Sequence, residues 1–176
     1  TGFILNNPLQ SIGIQYRYYN HQHQAWYGNK FYDGLENFAN INVIFQTKMT
    51  NHNNEMKLGA SYQLDYFDES LDQLNLGRQE RVPGIFAEYI FQDYKKLSIV
   101  AGIRADFHNQ YGFWLSPKAN LKYNFPKKFT LKLAAGKGYR TANIIAENIG
   151  ALASSRSINI EESLGYESAW NVGGSL

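Results

Sequence analysis

The sequence contains no cysteine, which excludes a disulfide framework and any thiolate metal site. It has no run of about twenty apolar residues, so a membrane-spanning helix is excluded as well. Charge of one sign is not in excess: 17 Lys and Arg stand against 15 Asp and Glu, a formal net charge of +2, without the basic surplus of a nucleic-acid binder. Four histidines, with no His-x-x-x-His and no Gly-x-Ser-x-Gly pattern, leave nothing on which to build an enzyme, and no metal or cofactor site is expected. No signal peptide opens the chain at Thr1, which decides nothing, because an envelope protein would already have lost one. What is abundant is aromatic: 13 Tyr and 11 Phe bring the aromatic share to 15%, against only 18% charged residues. The 176 residues suffice for one unit, read as 1–176 without an internal linker or helix.

Period-two alternation dominates the chain and identifies it as all-β. In 56–66, Met56, Leu58, Ala60, Tyr62, Leu64 and Tyr66 alternate with Lys57, Gly59, Ser61, Gln63 and Asp65. The same contrast runs through 97–108, where Leu97, Ile99, Ala101, Ile103, Ala105 and Phe107 share one side, and through 115–125. Weaker strands are expected at 10–19, 38–48, 84–92, 129–140 and 163–176, which makes about eight. Tight connections are expected at 51–54, 93–96 and 126–128, and longer ones near 20–37, 68–83, 109–114 and 141–162. Short and long ends then lie on opposite sides of one antiparallel up-and-down sheet. Aromatics gather at both ends, with Tyr89, Phe91, Tyr123, Phe125 and Phe129 near the tight turns and Tyr66, Phe67, Phe107, Tyr111, Phe113, Trp114 and Tyr139 near the long loops.

Alternation does not itself say whether the apolar side points into a soluble barrel or out into lipid. A soluble barrel would load its wet side with Lys and Glu, whereas here that side is rich in Gly, Ser, Asn and Gln. The apolar side of the strongest strands carries no charge and ends in aromatics, as outer-membrane barrels do. A transmembrane barrel follows as the first reading. A closed eight-stranded barrel is narrow enough for side chains to fill it, and Arg104, Lys118, Lys122, Lys132 and Arg140 would crowd such a lumen with mainly Asp106 beside them. A wider, wet or plugged lumen relieves that repulsion. The alternatives are a complete eight-stranded outer-membrane barrel serving as adhesin or structural anchor, and a soluble β-barrel carrier.

From Val82 onward the chain resembles the barrel domain of TonB-dependent outer-membrane receptors, particularly those of Bacteroidetes-like bacteria. The resemblance rests on Gly84-Ile85-Phe86-Ala87-Glu88-Tyr89, Gly102-Ile103-Arg104-Ala105-Asp106-Phe107-His108 and Leu115-Ser116-Pro117-Lys118-Ala119-Asn120-Leu121-Lys122-Tyr123. It continues through Gly136-Lys137-Gly138-Tyr139-Arg140-Thr141-Ala142-Asn143 and Glu167-Ser168-Ala169-Trp170-Asn171-Val172-Gly173. It implies a multi-pass protein of the bacterial outer membrane. The barrel would be wide, filled by a plug domain of the same receptor, and would import a scarce nutrient such as a metal chelate, haem, cobalamin or glycan. Energy would come from the inner-membrane TonB complex through an N-terminal part that this sequence does not show. Plugged transporters of this kind have 22 strands, so at about 22 residues per strand the chain supplies roughly a third of a barrel.

Candidate contacts for a ligand or for the plug are Lys118, Lys122, Lys132 and Arg140 on the polar side, and Asn143, Glu147 and Arg156 in the 141–162 connection. Arg140 is read first as pairing with a carboxylate of the plug and second as reading an anionic ligand. His21 and His23, two apart, are read as solvated loop histidines rather than metal ligands. Gly136 and Gly138 lack the following helix of a phosphate loop and are read as permitting a bend or close approach. Trp170 is placed toward lipid with Leu164, Tyr166 and Val172.

Overall fold

A computed structural model describes residues 1–49, 53–93, 96–126, 129–153 and 165–176. Its strands are β1 (Gly2–Ile4), β2 (Gln10–Tyr27), β3 (Lys30–Lys48), β4 (Asn54–Leu71), β5 (Leu74–Asn75), β6 (Arg78–Asp93), β7 (Leu97–His108), β8 (Gly112–Asn124), β9 (Thr130–Thr141) and β10 (Tyr166–Ser175). One helix, α1 (Ile144–Ala153), interrupts the series. All strands join one antiparallel sheet in the order β1-β2-β3-β4-β6-β7-β8-β9-β10, with β5 beside β4. β1 and β10 are not paired with each other, so the described sheet is open, unlike a closed eight-stranded barrel.

The eight long strands fall where alternation places them, and β1 and β5 are additional short ones. The connection expected over 20–37 is instead the paired tip of β2 and β3, which stay in register up to Tyr27 opposite Lys30. Gly28 turns that tip with φ of 66°, a conformation open to glycine. Polar residues such as Asn20, Gln22, Gln24, Asn37 and Asp33 carry no apolar alternation there, which is why the periodicity fades while the ladder continues. The helix corrects the expectation of an uninterrupted β chain. The residues 51–52, 94–95 and 127–128 of the three tight turns lie outside the described residues, as do 154–164 of the long connection, including Arg156 and Leu164.

Register turns alternation into rows. Ile14, Val43, Ala60, Ile85, Ala105 and Leu115 stand side by side across six strands, and Ile12, Phe45, Leu58, Ala87, Ile103 and Pro117 form the next row. Val43, Leu58, Ala60, Ile85, Ile103 and Leu115 of these rows are exposed, Ile85 to 60%, and the others are half-buried. An apolar face continuous over this many strands is far larger than a monomeric soluble protein leaves in water, where patches stay within a few hundred Å². Segments such as 56–66 and 97–107 match the roughly 9–11 residues with which a tilted strand crosses a bilayer. Tyr16, Tyr18, Tyr62, Phe107 and Phe113 border the band above, on the side of α1 and the β2–β3 tip, and Tyr89, Phe125 and Phe129 border it below. No helix of the structure is long and apolar enough to cross a membrane.

Four aromatics expected in the upper border, Phe67, Tyr111, Trp114 and Tyr139, lie on the opposite, polar face, Tyr111 beside His108 and Trp114. Trp114 faces Asp106 across the β7–β8 ladder and is buried. The β8–β9 ladder ends at Lys118 opposite Gly136, and above it Tyr139 turns to stack on Trp114 with ring centres 5.4 Å apart. Phe67 lies under the Arg78 guanidinium at 3.6 Å. Tyr166 likewise leaves the apolar side expected of it and meets Tyr111, Trp114 and Tyr139. The only compact apolar core among the described residues is where α1 lays Ile145 and Leu152 on Tyr32 and Leu71 at the upper end of β3 and β4.

Candidate functional site

The polar face gathers its charges in two places. In the upper half, Arg104 donates from Nε to Asp106 at 2.7 Å and from Nη2 to the Ser61 hydroxyl at 2.7 Å. The three converge over Gly84, where a Cβ would collide with the Asp106 carboxylate, so the close approach depends on glycine. Arg78 donates from Nη1 to Glu69 at 2.8 Å and from Nε to Glu80 at 3.0 Å. The Thr141 hydroxyl donates to Glu80 at 3.3 Å, and His108 Nε2 lies 3.5 Å from the same carboxylate. Ser61, Asp65, Glu69, Glu80, Asp106 and His108 are all buried, which is expensive for charge unless it is paired. A cavity of about 530 Å³ opens over Asp65, Glu80, Arg104, Asp106, His108 and Trp114.

Lower on the same face the charges are sparser. Lys118 pairs with Glu88 at 2.5 Å, and Glu88 also lies 3.7 Å from Lys57. Lys122 stands directly opposite Lys132, and neither has an acidic partner among the described residues. Like charges across a ladder repel unless a third group compensates. The pair borders a cavity of about 420 Å³ together with Ser98, Asn120 and Gly173–Ser175.

The sequence-derived candidates therefore fall into three places. Arg140 sits at the rim, paired with Glu147 of α1 at 3.1 Å and Glu167 of β10 at 2.7 Å. The hydrogen bond and charge of Arg140 hold the Glu167 carboxyl below its ordinary range, and Glu167 raises the guanidinium in return. Asn143 precedes α1, and its N–H donates to Glu147 at 3.4 Å, which ties the helix start to the rim. Lys118 belongs to the Glu88 pair, Lys122 and Lys132 form the lower pair, and Arg156 lies outside the described residues. His21 and His23 are on β2 rather than in a loop, on one side of the strand with ring centres 6.3 Å apart. No group of three metal-ligating side chains occurs among the described residues. The upper network of Asp65, Glu69, Arg78, Glu80, His108 and Trp114 escaped the reading by sequence. Parity places Asp65 and His108 on the polar side, but only register sets Asp65 opposite Glu80.

An open antiparallel sheet with a lipid-sized apolar band outside and a charged face within is the geometry of a wide outer-membrane barrel wall. The family description "TonB dependent receptor-like, beta-barrel" matches residues 2–175. The chain belongs to the TonB-dependent receptor β-barrel family. Among solved structures, the siderophore receptor PirA from Pseudomonas aeruginosa aligns over 78% of this chain and 30% of its own, at 12% identity with a TM-score of 0.54. The ferric enterobactin receptor PfeA in complex with BCV-L6 aligns over 80% of this chain and 27% of its own, at 12% identity with a TM-score of 0.55. Both likenesses show the fold, and this TonB-dependent receptor barrel chain spans less than a third of either structure's length. No curated protein matches it by sequence. The family and the apolar band place it in the outer membrane.

Proposed function

We propose that the chain is one wall of a larger, plugged receptor barrel that imports a scarce nutrient, a metal chelate, haem, cobalamin or glycan, with energy from the inner-membrane TonB complex. The family membership over 2–175 carries this reading. The open edges of β2 and β10 support it, because unpaired backbone cannot be left in hydrocarbon and further strands would satisfy it. In this reading the polar face lines the interior, and Lys122 and Lys132 meet carboxylates of the plug, while Arg140, Asn143 and Glu147 shape the mouth that a nutrient enters. Lys118 is already neutralised by Glu88 and serves the wall itself.

The test is uptake of a labelled panel of these nutrients by cells carrying the full-length receptor, with and without a protonophore. The reading expects one class to accumulate and the protonophore to abolish it; accumulation of none, or accumulation indifferent to the protonophore, contradicts it. In the purified full-length receptor, Lys122→Gln with Lys132→Gln should speed amide exchange in the plug. Reduced uptake with plug exchange unchanged would instead assign the pair to an anionic ligand.

A further inference from the structure

Register sets Asp65 directly opposite Glu80, two carboxylates that are 7% and 5% exposed. Such a pair is unfavourable across a ladder unless a third group compensates. Glu80 is compensated by Arg78, Thr141 and His108, as described above. Asp65 is not: its Oδ1 is buried and accepts no hydrogen bond among the described residues. Arg78 is committed to Glu69 and Glu80, and Arg104 to Asp106 and Ser61, while Arg17 borders the same cavity but is exposed and makes no ion pair with Asp65. Across this part of the face Glu36, Asp65, Glu69, Glu80 and Asp106 stand against Arg17, Arg78, Arg104 and Arg140, the last already paired with Glu147 and Glu167. The indole N–H of Trp114, bordering the same cavity, is also buried without an acceptor among the described residues.

We propose that the cavity over Asp65 and Glu80 is a binding site for one cationic N–H donor, a guanidinium or an ammonium group. A neutral donor would satisfy the Asp65 oxygen but leave the facing carboxylates unbalanced. A hard metal ion asks for six to eight oxygens, whereas Glu80 has given its own to Arg78 and Thr141 and one free carboxylate remains. The group has two sources with the same chemistry, a basic side chain of the same receptor outside this wall or a small cationic ligand. The inference rests on the polar face being interior, a point that labels on Ile103 and Arg104 decide separately.

The sign of one substitution tests it in the full-length receptor purified in detergent. Asp65→Asn keeps the shape and removes the charge. With a cation in place it strips away the partner and lowers the heat-unfolding midpoint by roughly 3–5 °C, and Asp65→Glu, which keeps the charge, recovers at least half of the loss. Without a cation Asp65→Asn only relieves repulsion from Glu80, and the midpoint rises or stays level; that result, together with no rise of the wild-type midpoint in methylguanidinium, overturns the proposal. Failure of Asp65→Asn to assemble counts for the proposal only if Asp65→Glu assembles, and against it otherwise. Methylguanidinium chloride, compared with equal sodium chloride, separates the sources. A ligand site gives a rise in the wild-type midpoint that Asp65→Asn abolishes, while a site filled by the receptor's own side chain gives no rise but still shows the Asp65→Asn loss.

Discussion

The upper and lower halves of the polar face share one continuous ladder from β3 to β8, and they differ in how their charges are held. Above, buried carboxylates meet half-buried guanidinium groups near α1 and the Trp114–Tyr139 stack, and all of these carboxylates but Asp65 are tied to partners. Below, Lys122 and Lys132 face each other in the open, and Lys118 is half exposed beside Glu88. Strands of one sheet with the same alternation, β4, β6 and β7 above and β8 and β9 below, thus build a partnered acidic pole and an open basic one. What separates them is burial and cross-strand register, neither of which alternation controls.

The largest expected consequence follows from burial. Arg78→Gln leaves Glu69 and Glu80 inside without their shared cation and should cost about 3–5 kcal/mol of stability. Lys118→Gln, which opens a partly exposed pair, should cost less than about 1 kcal/mol. Urea-unfolding midpoints in micelles measure both, and equal losses would erase the distinction between the halves.

A smaller effect sharpens the same contrast at glycine. Gly84→Leu would push apart Asp106, Arg104 and Ser61 and should cost about 1–3 kcal/mol. A Cβ at Gly136 meets nothing closer than 3.4 Å, so Gly136→Ala should leave the midpoint within about 0.5 kcal/mol. A severe loss at Gly136 would mean that the lower half is as tightly packed as the upper.

These contrasts also show what the sequence could reveal. The period of two in 56–66, 97–108 and 115–125 identified the strands, and the register confirms which residues share a face. The facing of Lys122 and Lys132 was legible because the connection expected at 126–128 is short enough to fix the pairing of the flanking strands. The partner of Lys118 was not legible. Glu88 comes within reach only because it pairs with Gly102, which in turn pairs with Lys118, a relation spanning three strands and two turns. The charge count for the wall therefore found mainly Asp106 where the fold also supplies Glu88, Glu147 and Glu167. Trp114 and Tyr139 look in sequence like border aromatics, and only the end of the β8–β9 ladder at Gly136 lets them meet on the polar side.

Everything said of the two poles depends on the polar face being the interior of the barrel. Single nitroxide labels at Ile103 and at Arg104, in the full-length receptor reconstituted in bilayers, address this directly, since adjacent residues on β7 stand on opposite faces. Collision with dissolved oxygen should dominate for the label at Ile103, in the middle of the apolar band. The label at Arg104 should be shielded from lipid. A water-exposed label at Ile103 together with a lipid-exposed label at Arg104 would contradict the account.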